Sequence, residues 1–379
     1  MVGIKGVYQT KFGELWDKSL MGLMLEAGEG AINNAKIERK KIDLILVANM
    51  LGGVLEGQNH LGALAGELLG LKIKPAFRVE AACASGGVAI NQAAMAIKAG
   101  QAKNVLVIGA EKMTDKSNGE VALALMGAAS EAERLAGLTF VGLYALMARV
   151  YFEKFKANKD DLAYVAIKNH KHASLNPKAQ FPFPVLLETV LKSSCVASPL
   201  HLFDCSPITD GAAGAVISGE DGKENKIKLA ASQIATDSIN LTERESLVEL
   251  KATKIAGQKA YQEAGIKPEE IDLAEVHDCF SIAEIMAVED LGFCRKGEGF
   301  KRIKAGDFDL GGRLPVNLSG GLKACGHPVG ATGVKQLVEI VTQLRGEAEK
   351  RQVKNCRIGL THNVGGSGAT AVVNILKKL

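Results

Sequence analysis

The sequence predicts an α/β protein built from two similar halves. Strand-like runs alternate along the chain with amphipathic helical patterns, which is typical of layered α/β folds. Continuous apolar runs such as Val105-Leu-Val-Ile indicate strands that are covered on both faces. Two stretches of the chain also resemble each other in order and spacing. Together these three observations favour βαβ-type halves related by a pseudo-twofold axis.

The individual elements are predicted from the period of their apolar residues. Strands are expected at residues 44–48, 77–80, 105–109, 212–218, 227–231, 273–277, 358–362 and 369–375. Amphipathic helices are expected at residues 22–35, 88–99, 253–264 and 333–344.

An internal repeat supports the two-half interpretation. Ala35-Lys-Ile-Glu-Arg-Lys-Lys-Ile-Asp-Leu is matched by Ala264-Gly-Ile-Lys-Pro-Glu-Glu-Ile-Asp-Leu. Ala82-Cys-Ala-Ser-Gly-Gly, which opens a helix, is matched by Ala324-Cys-Gly-His-Pro-Val-Gly. Two facing halves would bring equivalent helix N-termini together, so Cys83 and His327 are expected to lie close to each other.

The repeat also divides the chain into domains. Residues 1–114 plus 203–222 form the expected N-terminal half, and residues 223–379 form the C-terminal half. Residues 115–202 break the repeat and are expected to be an inserted loop domain that covers the first half. Within the insertion, the segment Leu143-Tyr-Ala-Leu-Met147 is expected to shape an acyl pocket.

Composition disfavours several classes of partner. The net charge of the 379 residues is +4, and Lys and Arg are scattered among acids, which argues against nucleic acid binding. The longest apolar run fits a buried helix better than a membrane span, and the N-terminus shows no signal-peptide pattern. The seven cysteines lack a CxxC pair, so we expect neither disulfides nor a metal site, and a cytoplasmic location.

Cys83 is the first candidate for chemistry. It follows a strand-like run, precedes a helix, and has small residues on both sides. A helix N-terminus stabilises a thiolate and lowers the pKa of the thiol, and the Cys83 backbone N–H could face a developing oxyanion. A buried structural cysteine is the alternative, which the Ala, Ser and Gly neighbours disfavour.

Three further segments could contribute to the same cleft. His327 lies in a glycine-dense helix start and is a candidate base for a thiol, with a capping histidine as the alternative. His277 and Cys279 end a strand and could both point into the cleft, or serve as cap and core residues. The glycine-rich segment around Gly365 could offer backbone N–H groups to an oxyanion or phosphate, or form a plain turn.

Together these motifs resemble those of the thiolase superfamily, in particular its sterol-carrier-protein-type and archaeal-type acetyl-CoA acetyltransferases. The resemblance covers essentially the whole chain and implies the thiolase fold, with α/β/α/β/α layers. It implies that Cys83 is the acylated nucleophile and that His327, in Gly326-His-Pro328, activates it. His277-Asp-Cys279-Phe resembles the motif that replaces Asn-Glu-Ala-Phe in this branch, which implies an oxyanion-hole role for His277 and an acid/base role for Cys279.

The end of the chain departs from the pattern of better-known thiolases. Asn363-Val-Gly365 stands where those enzymes carry Cys-x-Gly. By the resemblance, the second cysteine has moved to position 279, and the backbone N–H groups of Cys83 and Gly365 form an oxyanion hole.

The resemblance implies an acetyl-CoA C-acetyltransferase of lipid metabolism and the mevalonate pathway. Such an enzyme condenses two acetyl-CoA into acetoacetyl-CoA and CoA through an acetyl-Cys83 intermediate, with CoA thioesters as substrates and no cofactor. The alternatives on the same fold are a longer-chain 3-ketoacyl-CoA thiolase, a decarboxylating ketoacyl synthase, an HMG-CoA synthase and a non-catalytic acyl-CoA-binding scaffold. The resemblance further implies a homodimer or homotetramer and a possible complex with HMG-CoA synthase and a small bridging protein.

Overall fold

Eleven strands and fourteen α-helices occur in residues 1–219 and 226–379, the part of the chain that the computed structural model describes. The predicted boundary between residues 222 and 223 lies outside the described residues. The strands are β1 Gly3–Gln9, β2 Leu44–Ala48, β3 Ala76–Val79, β4 Asn104–Glu111, β5 Cys195–Ala197, β6 Leu200–His201, β7 Gly211–Ser218, β8 Ile227–Thr236, β9 Leu273–Glu275, β10 Ile358–Gly365 and β11 Thr370–Lys378. The helices are α1 Leu20–Ala35, α2 Gly52–Leu55, α3 Leu61–Leu68, α4 Ser85–Lys98, α5 Asn118–Leu125, α6 Glu131–Leu135, α7 Phe140–Phe155, α8 Lys159–Ala173, α9 Leu187–Lys192, α10 Lys251–Ala264, α11 Ser281–Asp290, α12 Gly299–Lys304, α13 Gly321–Cys325 and α14 Thr332–Arg345.

Nine of the described strands form one sheet whose order is β3-β2-β4-β7-β1-β8-β11-β10-β9. In the first half, β2 is parallel to β3 and β4, whereas β7 is antiparallel to β4 and β1. In the second half, β9 is parallel to β10, and β11 is antiparallel to β10 and β8. The two orders mirror each other about the β1–β8 junction, so each half contributes one equivalent sheet.

Helices cover these sheets in layers. Helix α1 packs against β1, β4 and β7 of the first half, and α10 packs against β8 and β11 of the second half. Helices α4 and α14 pack against each other and contact strands of both halves. The layers therefore alternate as α/β/α/β/α, which confirms the predicted fold class, and α4 and α14 form the central layer.

All eight predicted strands are present, and the differences lie at their ends. Strand β10 continues to Gly365 instead of ending near residue 362, because its ladder with β11 runs through Asn363 and Gly365. Helix α14 begins at Thr332, after a turn in which Pro328 O accepts from Ala331 N and Thr332 N. The expected helix start at Gly326-His-Pro328 is therefore a connection between α13 and α14.

The inserted segment contacts both halves, and its long helices pack on the second half, whereas a cover over the first half was expected. Helix α7 contacts α11, and α8 contacts α11, α12 and α13. On the first half, α5 contacts α2, and Phe12 N donates to Lys178 O at 3.0 Å. Side chains of α7 are thereby placed over the start of α11. No helix in the described ranges is long and apolar enough to cross a bilayer.

Glycines allow the central helices to approach each other closely. A Cβ built on Gly333, at the start of α14, would lie 2.2 Å from Gly87 N and 2.3 Å from Asn363 Oδ1. A Cβ on Gly86, at the start of α4, would lie 2.8 Å from Val334 N. Because the obstacles are mostly backbone atoms, a side chain at either position would push the two helix starts apart.

We predict that Gly333→Ala destabilises the protein by about 1–3 kcal/mol, because the added methyl overpacks a backbone crossing. The free energy of unfolding is measured from urea denaturation. Gly119→Ala is the matched control, since a Cβ at Gly119 of α5 meets no atom within 4 Å. It should change stability by less than about 1 kcal/mol. Equal midpoints for Gly333→Ala and the parent protein would contradict the close crossing.

Candidate active site

The predicted site residues surround one cavity. Cys83, Cys279 and His327 line a cavity of about 200 Å³. The Sγ of Cys83 and a ring nitrogen of each of His277 and His327 lie within 4.8 Å of one another. The two imidazole rings are 5.1 Å apart between centroids and nearly perpendicular, at 81°. The structure therefore brings together all four side chains that the sequence singled out.

A tight loop between β3 and α4 positions Cys83. Ser85 Oγ accepts from Ala81 N at 2.9 Å and donates to Ala82 O at 2.6 Å. Ala82 has a φ of 50°, a left-handed conformation that costs roughly 1–2 kcal/mol for a residue with a Cβ. The hydrogen bonds of Ser85 hold this conformation, which fixes the direction of the next side chain, that of Cys83.

The Cys83 thiol is uncharged in the resting site, contrary to the expectation from its place at a helix start. Burial raises the pKa of the Cys83 thiol well above its usual range, and the Cys279 sulfur acts in the same direction. The backbone N–H of Gly366 opposes this rise in pKa by bonding to the sulfur. Desolvation outweighs the helix N-terminus because the sulfur is enclosed by the cavity wall. Cys83 therefore needs a base that removes its proton during attack.

His327 is suited to be that base. The Thr332 hydroxyl donates its one proton to Pro328 O at 3.0 Å, so its oxygen accepts from His327 Nδ1–H at 2.7 Å. The proton on Nδ1 leaves Nε2 of His327 with a free lone pair. In this tautomer Nε2 can take the Cys83 proton.

The His327 ring is neutral and its loop is held at both ends. Burial lowers the pKa of His327 to about 3, with Lys335 contributing in the same direction. His327 N donates to Thr209 Oγ1 at 3.0 Å, and Gly330 N donates to the buried Glu111 carboxylate at 2.9 Å. The imidazole is thus available as a base over the whole physiological pH range.

His277 presents a buried N–H group that has no partner among the described residues. Gly87 N donates to Asn363 Oδ1 at 3.0 Å, which fixes the direction of the Asn363 amide. Asn363 Nδ2 therefore donates to Cys83 O at 2.9 Å and to His277 Nδ1 at 3.3 Å. Because Nδ1 accepts, the proton of the neutral His277 ring is on Nε2, which has no hydrogen-bond partner although His277 is 1% exposed. A substrate oxygen could accept from this group.

The tautomer of His277 disfavours a metal ion at this cluster. Cys83, His277 and His327 are close enough to surround an ion. A metal would need the lone pair of His277 Nε2, which the Asn363 amide keeps protonated. The donor set thus fits a substrate oxygen better than a cation.

Cys279 is a second uncharged thiol on the opposite wall. It lies between β9 and α11, and its carbonyl accepts from Ser206 N at 2.9 Å. Burial raises the pKa of Cys279 to about 12, while the Tyr144 hydroxyl and the Lys323 ammonium act to lower it. Cys83 and Cys279 are therefore neutral thiols that face one cavity, one from each half. Cys205 also lines this cavity, and burial raises its pKa to about 11.

The backbone N–H beside the Cys83 sulfur belongs to Gly366 and not to Gly365. Lys378 N donates to Arg357 O at 2.8 Å, and hydrogen-bonded pairs alternate along an antiparallel ladder. Counted along the register of β10 and β11, Gly365 and Thr370 therefore form a hydrogen-bonded pair. The N–H of Gly365 is thus used in the sheet and does not reach the Cys83 sulfur.

Gly365 contributes space instead of a donor. A Cβ at this position would lie 2.5 Å from Ala81 O, so a side chain would collide with the Cys83 loop. The following residue, Gly366, has a φ of 62° and lines the cavity. The glycine-rich turn predicted from the sequence is thus part of the site, with its donor one residue later than expected.

The remainder of the cavity wall is largely apolar. Among the described residues that line it there is no lysine or arginine. Of the segment expected to shape an acyl pocket, Tyr144 lines the cavity, whereas Leu143 and Met147 are buried in the core. The apolar lining residues are Met113, Ala122, Leu125, Phe140, Val141, Tyr144, Pro207, Ile208, Phe280 and Val329.

Four functional positions were not identified from the sequence. Thr332 sets the His327 tautomer, Asn363 sets that of His277, Gly366 donates to Cys83, and Tyr144 contacts Cys279. Asn363 carried a signal, because it stands in place of the cysteine of the usual Cys-x-Gly motif. Gly366 and Tyr144 lie in segments that the sequence singled out for other reasons, and Thr332 carried no signal.

Comparison with known proteins agrees with this geometry. Residues 2–221 match the family described as "Thiolase, N-terminal domain", and residues 234–378 match "Thiolase C-terminal domain-like". The chain is 46% identical to an acetyl-CoA acetyltransferase of Methanothermobacter thermautotrophicus, with 100% of this chain and 99% of that protein covered. It is 33% identical to human sterol carrier protein 2, with 98% of this chain and 71% of that protein covered.

Solved structures share the fold at lower identity. The structure titled "Ltp2-ChsH2(DUF35) aldolase" matches with a TM-score of 0.85 at 24% identity, covering 100% of this chain and 97% of that chain. An acetyl-CoA acetyltransferase from Syntrophomonas wolfei matches with a TM-score of 0.78 at 20% identity, covering 100% and 99%. Both family domains together span nearly the whole sequence, and the chain belongs to the thiolase family.

Proposed function

We propose that the protein is an acetyl-CoA C-acetyltransferase that reversibly condenses two acetyl-CoA into acetoacetyl-CoA and CoA. The observation that carries this proposal is the pair of neutral thiols, Cys83 and Cys279, that face one apolar cavity beside a neutral imidazole. A Claisen condensation by proton abstraction needs both a nucleophile and a separate acid/base. The archaeal relatives at 46% identity, named acetyl-CoA acetyltransferases, support the acetyl substrate.

In the first half-reaction His327 Nε2 takes the Cys83 proton as the sulfur attacks the thioester carbon. The backbone N–H groups of Cys83 and Gly366 bond to the oxyanion of the tetrahedral intermediate. Loss of one such donor typically costs ~3–4 kcal/mol of barrier. The intermediate collapses to acetyl-Cys83, and the departing CoA thiolate takes the Cys279 proton. The imidazolium of His327 keeps its proton.

In the second half-reaction the Cys279 thiolate takes a proton from the methyl group of a second acetyl-CoA. The enolate oxygen accepts from His277 Nε2–H, the unpartnered donor of the resting site. The enolate carbon attacks the acetyl carbon, and the new tetrahedral intermediate expels the Cys83 sulfur. That sulfur recovers its proton from His327, which returns every group to its starting state.

The position of the acidic residues disfavours other condensing chemistry on this fold. An enzyme that forms its carbanion by decarboxylation needs no base, so Cys279 would be superfluous. An HMG-CoA synthase needs a carboxylate base, but the three carboxylates near the motif are engaged in the interior. Glu275 pairs with Lys335 and Glu284 pairs with Lys168, each at 3.0 Å, and Asp278 accepts from Leu322 N at 2.7 Å.

The cavity dimensions favour a short acyl group over the alternative of a longer 3-ketoacyl chain. The volume is about 200 Å³, and the rings of Tyr144 and Phe280 pack against each other on its wall, 4.6 Å apart and tilted by 32°. A non-catalytic acyl-CoA-binding subunit would need neither the two thiols nor two histidines whose tautomers are set by hydrogen bonds for proton transfer and for donation to a substrate oxygen.

For assembly we propose a homodimer or homotetramer that uses the edge strand β3. This strand ends the sheet, and Phe77 on it is 49% exposed. The unpaired backbone groups of an edge strand can pair with the same strand of a second copy.

We further propose a complex with HMG-CoA synthase and a small bridging protein. Such a complex would consume acetoacetyl-CoA in the mevalonate pathway. A structural neighbour whose title joins an aldolase to a DUF35 protein supports this arrangement.

For location we propose the cytoplasm, because all seven cysteines are free.

Cys83→Ala is expected to abolish trapping of a radiolabelled acetyl group and to lower turnover by at least about 10³-fold, because no other thiol replaces the nucleophile. Acetyl incorporation is measured after incubation with labelled acetyl-CoA. Cys195→Ala is the control, since Cys195 is exposed and lies outside the cavity. Full activity of Cys83→Ala would refute the assignment of the nucleophile.

Cys279→Ala is expected to acetylate itself at Cys83, with CoA leaving as a thiolate that solvent protonates, but to form no acetoacetyl-CoA, because the base for the methyl proton is missing. Acetoacetyl-CoA formation and acetyl incorporation are measured on the same sample. Cys356→Ala is the matched control, since Cys356 is 6% exposed like Cys279 and lies outside the cavity. If the Cys279 variant still condensed, the base would be another group.

The rate of self-acetylation is expected to be constant between about pH 5 and pH 9, because the reactive pair is neutral throughout this range. The His327 pKa of about 3 keeps the imidazole unprotonated above that value, and the raised pKa of Cys83 keeps the thiol protonated. Single-turnover acetylation is measured by rapid quench. A loss of rate centred on the usual histidine pKa of 6.5 would show that His327 is accessible to solvent.

A further inference from the structure

Tyr144 of α7 contacts the groups of both half-reactions. It is 1% exposed, and its ring packs against Phe280, the residue after Cys279, at 4.6 Å between centroids with a tilt of 32°. Its hydroxyl donates to Gly366 O at 3.2 Å. Tyr144 and Cys279 line the same cavity, and the Tyr144 hydroxyl acts to lower the pKa of the Cys279 thiol. The inserted segment thus places one polar group between the glycine turn and the second thiol.

The Tyr144 hydroxyl has one proton and two acceptors within reach. Its 3.2 Å bond to Gly366 O is long for an O–H···O bond, which makes this partner easy to exchange. Burial raises the pKa of Tyr144, so the hydroxyl remains a donor when a thiolate forms beside it. An anionic sulfur is a stronger acceptor than a peptide carbonyl.

We propose that Tyr144 stabilises the Cys279 thiolate by turning its O–H from Gly366 O to the Cys279 sulfur during the reaction. The proposal rests on the proposed role of Cys279 as acid/base. When Cys279 gives its proton to the departing CoA, its S–H bond breaks and the Tyr144 hydroxyl bonds to the sulfur. When Cys279 then takes the methyl proton, a C–H bond breaks, an S–H bond forms, and the hydroxyl returns to Gly366. The proton of Tyr144 is not transferred.

The glycine turn does not depend on Tyr144 for its position. Arg244 Nη1 donates to Ser367 O at 2.7 Å, and Nη2 donates to Ser367 Oγ at 3.1 Å. Arg244 Nε donates to Ser238 O at 3.0 Å, which fixes the guanidinium itself. The Gly366 N–H therefore stays beside the Cys83 sulfur while the hydroxyl changes partner.

The other charges near Cys279 do not replace the Tyr144 hydroxyl as a hydrogen-bond donor to the sulfur. The Lys323 ammonium lowers the pKa of Cys279, and the adjacent Asp278 carboxylate raises it. Lys323 Nζ is already bonded to Asp204 O, and Asp278 accepts from Leu322 N at 2.7 Å. These opposed charges are anchored in the interior, whereas the Tyr144 hydroxyl lies on the cavity side.

The test is Tyr144→Phe, which removes the hydroxyl and keeps the ring. Alkylation of Cys279 by iodoacetamide is measured by peptide mass spectrometry in a Cys83→Ala background at a fixed pH below the thiol pKa. There the rate is proportional to the thiolate fraction. We expect alkylation to slow about 10- to 100-fold, as for loss of one hydrogen bond to a charged group. In the protein that retains Cys83, condensation should slow by a similar factor. Self-acetylation should slow by less than about threefold, because the attack of Cys83, which sets its rate, precedes the proton transfer from Cys279.

Tyr261→Phe is the matched control. Tyr261 is buried, its hydroxyl donates to Leu291 O at 2.8 Å, and it lies outside the cavity. Removing this hydroxyl likewise deletes a bond to a backbone carbonyl, and it should leave Cys279 alkylation and condensation unchanged.

Two outcomes would overturn the proposal. The first is an unchanged rate of Cys279 alkylation in Tyr144→Phe. The second is an equal loss of self-acetylation and condensation, which would mean that Tyr144 only holds the turn. If Tyr144→Phe does not fold, 3-fluorotyrosine at position 144 retains ring and hydroxyl and is a stronger donor, so Cys279 alkylation should become faster. A slower rate would contradict the proposal.

Failure of the proposed function can be recognised separately. In that case Cys279→Ala would still condense acetyl-CoA, whatever the result at Tyr144. If Tyr144 acts only through the Cys279 sulfur, adding Tyr144→Phe to Cys279→Ala should leave the remaining self-acetylation unchanged. A further loss of self-acetylation in the double variant would place the effect of Tyr144 elsewhere.

Discussion

The site depends on the amide of Asn363, which joins the two halves at their closest approach. Its oxygen accepts from Gly87 N, and its nitrogen donates to Cys83 O and His277 Nδ1. One side chain therefore fixes the nucleophile loop and the tautomer of His277 together. A cysteine at this position, as in the Cys-x-Gly pattern of better-known thiolases, could not make these three bonds. With Asn at position 363, the only second thiol on the C-terminal-half side of the cavity among the described residues is that of Cys279.

Enclosure determines the electrostatics of the site. Burial raises the pKa of both Cys83 and Cys279 and lowers the pKa of both His277 and His327. Every reacting group is consequently neutral at rest, and no ion pair forms before substrate binds. Charge appears only during the reaction, where backbone N–H groups and the His277 N–H are already oriented toward it. Such preoriented donors are more effective in a low-dielectric cavity than in water.

The sequence predicted the layers, the internal repeat and the four reacting side chains because these depend on local patterns. Apolar periods define β2 and α14, and Cys83 and His327 occur in glycine-dense segments that are unusual for core residues. The tautomers, the sign of the Cys83 pKa shift and the shift of the donor from Gly365 to Gly366 could not be predicted. They depend on strand register, on depth of burial and on partners such as Thr332, which only the folded chain defines. The roles of the four reacting residues remain predictions that the variants described above address.

The symmetry of the fold places different residues at the equivalent ends of two strands. Strand β4 ends at Glu111 and its equivalent β10 ends at Gly365. The Glu111 carboxylate fills the space beyond its strand and accepts from Met50 N, Leu51 N and Gly330 N, and burial raises its pKa to about 7. At Gly365 the absence of a side chain leaves that space open beside the Cys83 loop. Equivalent positions of the repeat therefore have different roles. Glu111 holds the His327 loop by hydrogen bonding, whereas Gly365 leaves space for the reacting thioester.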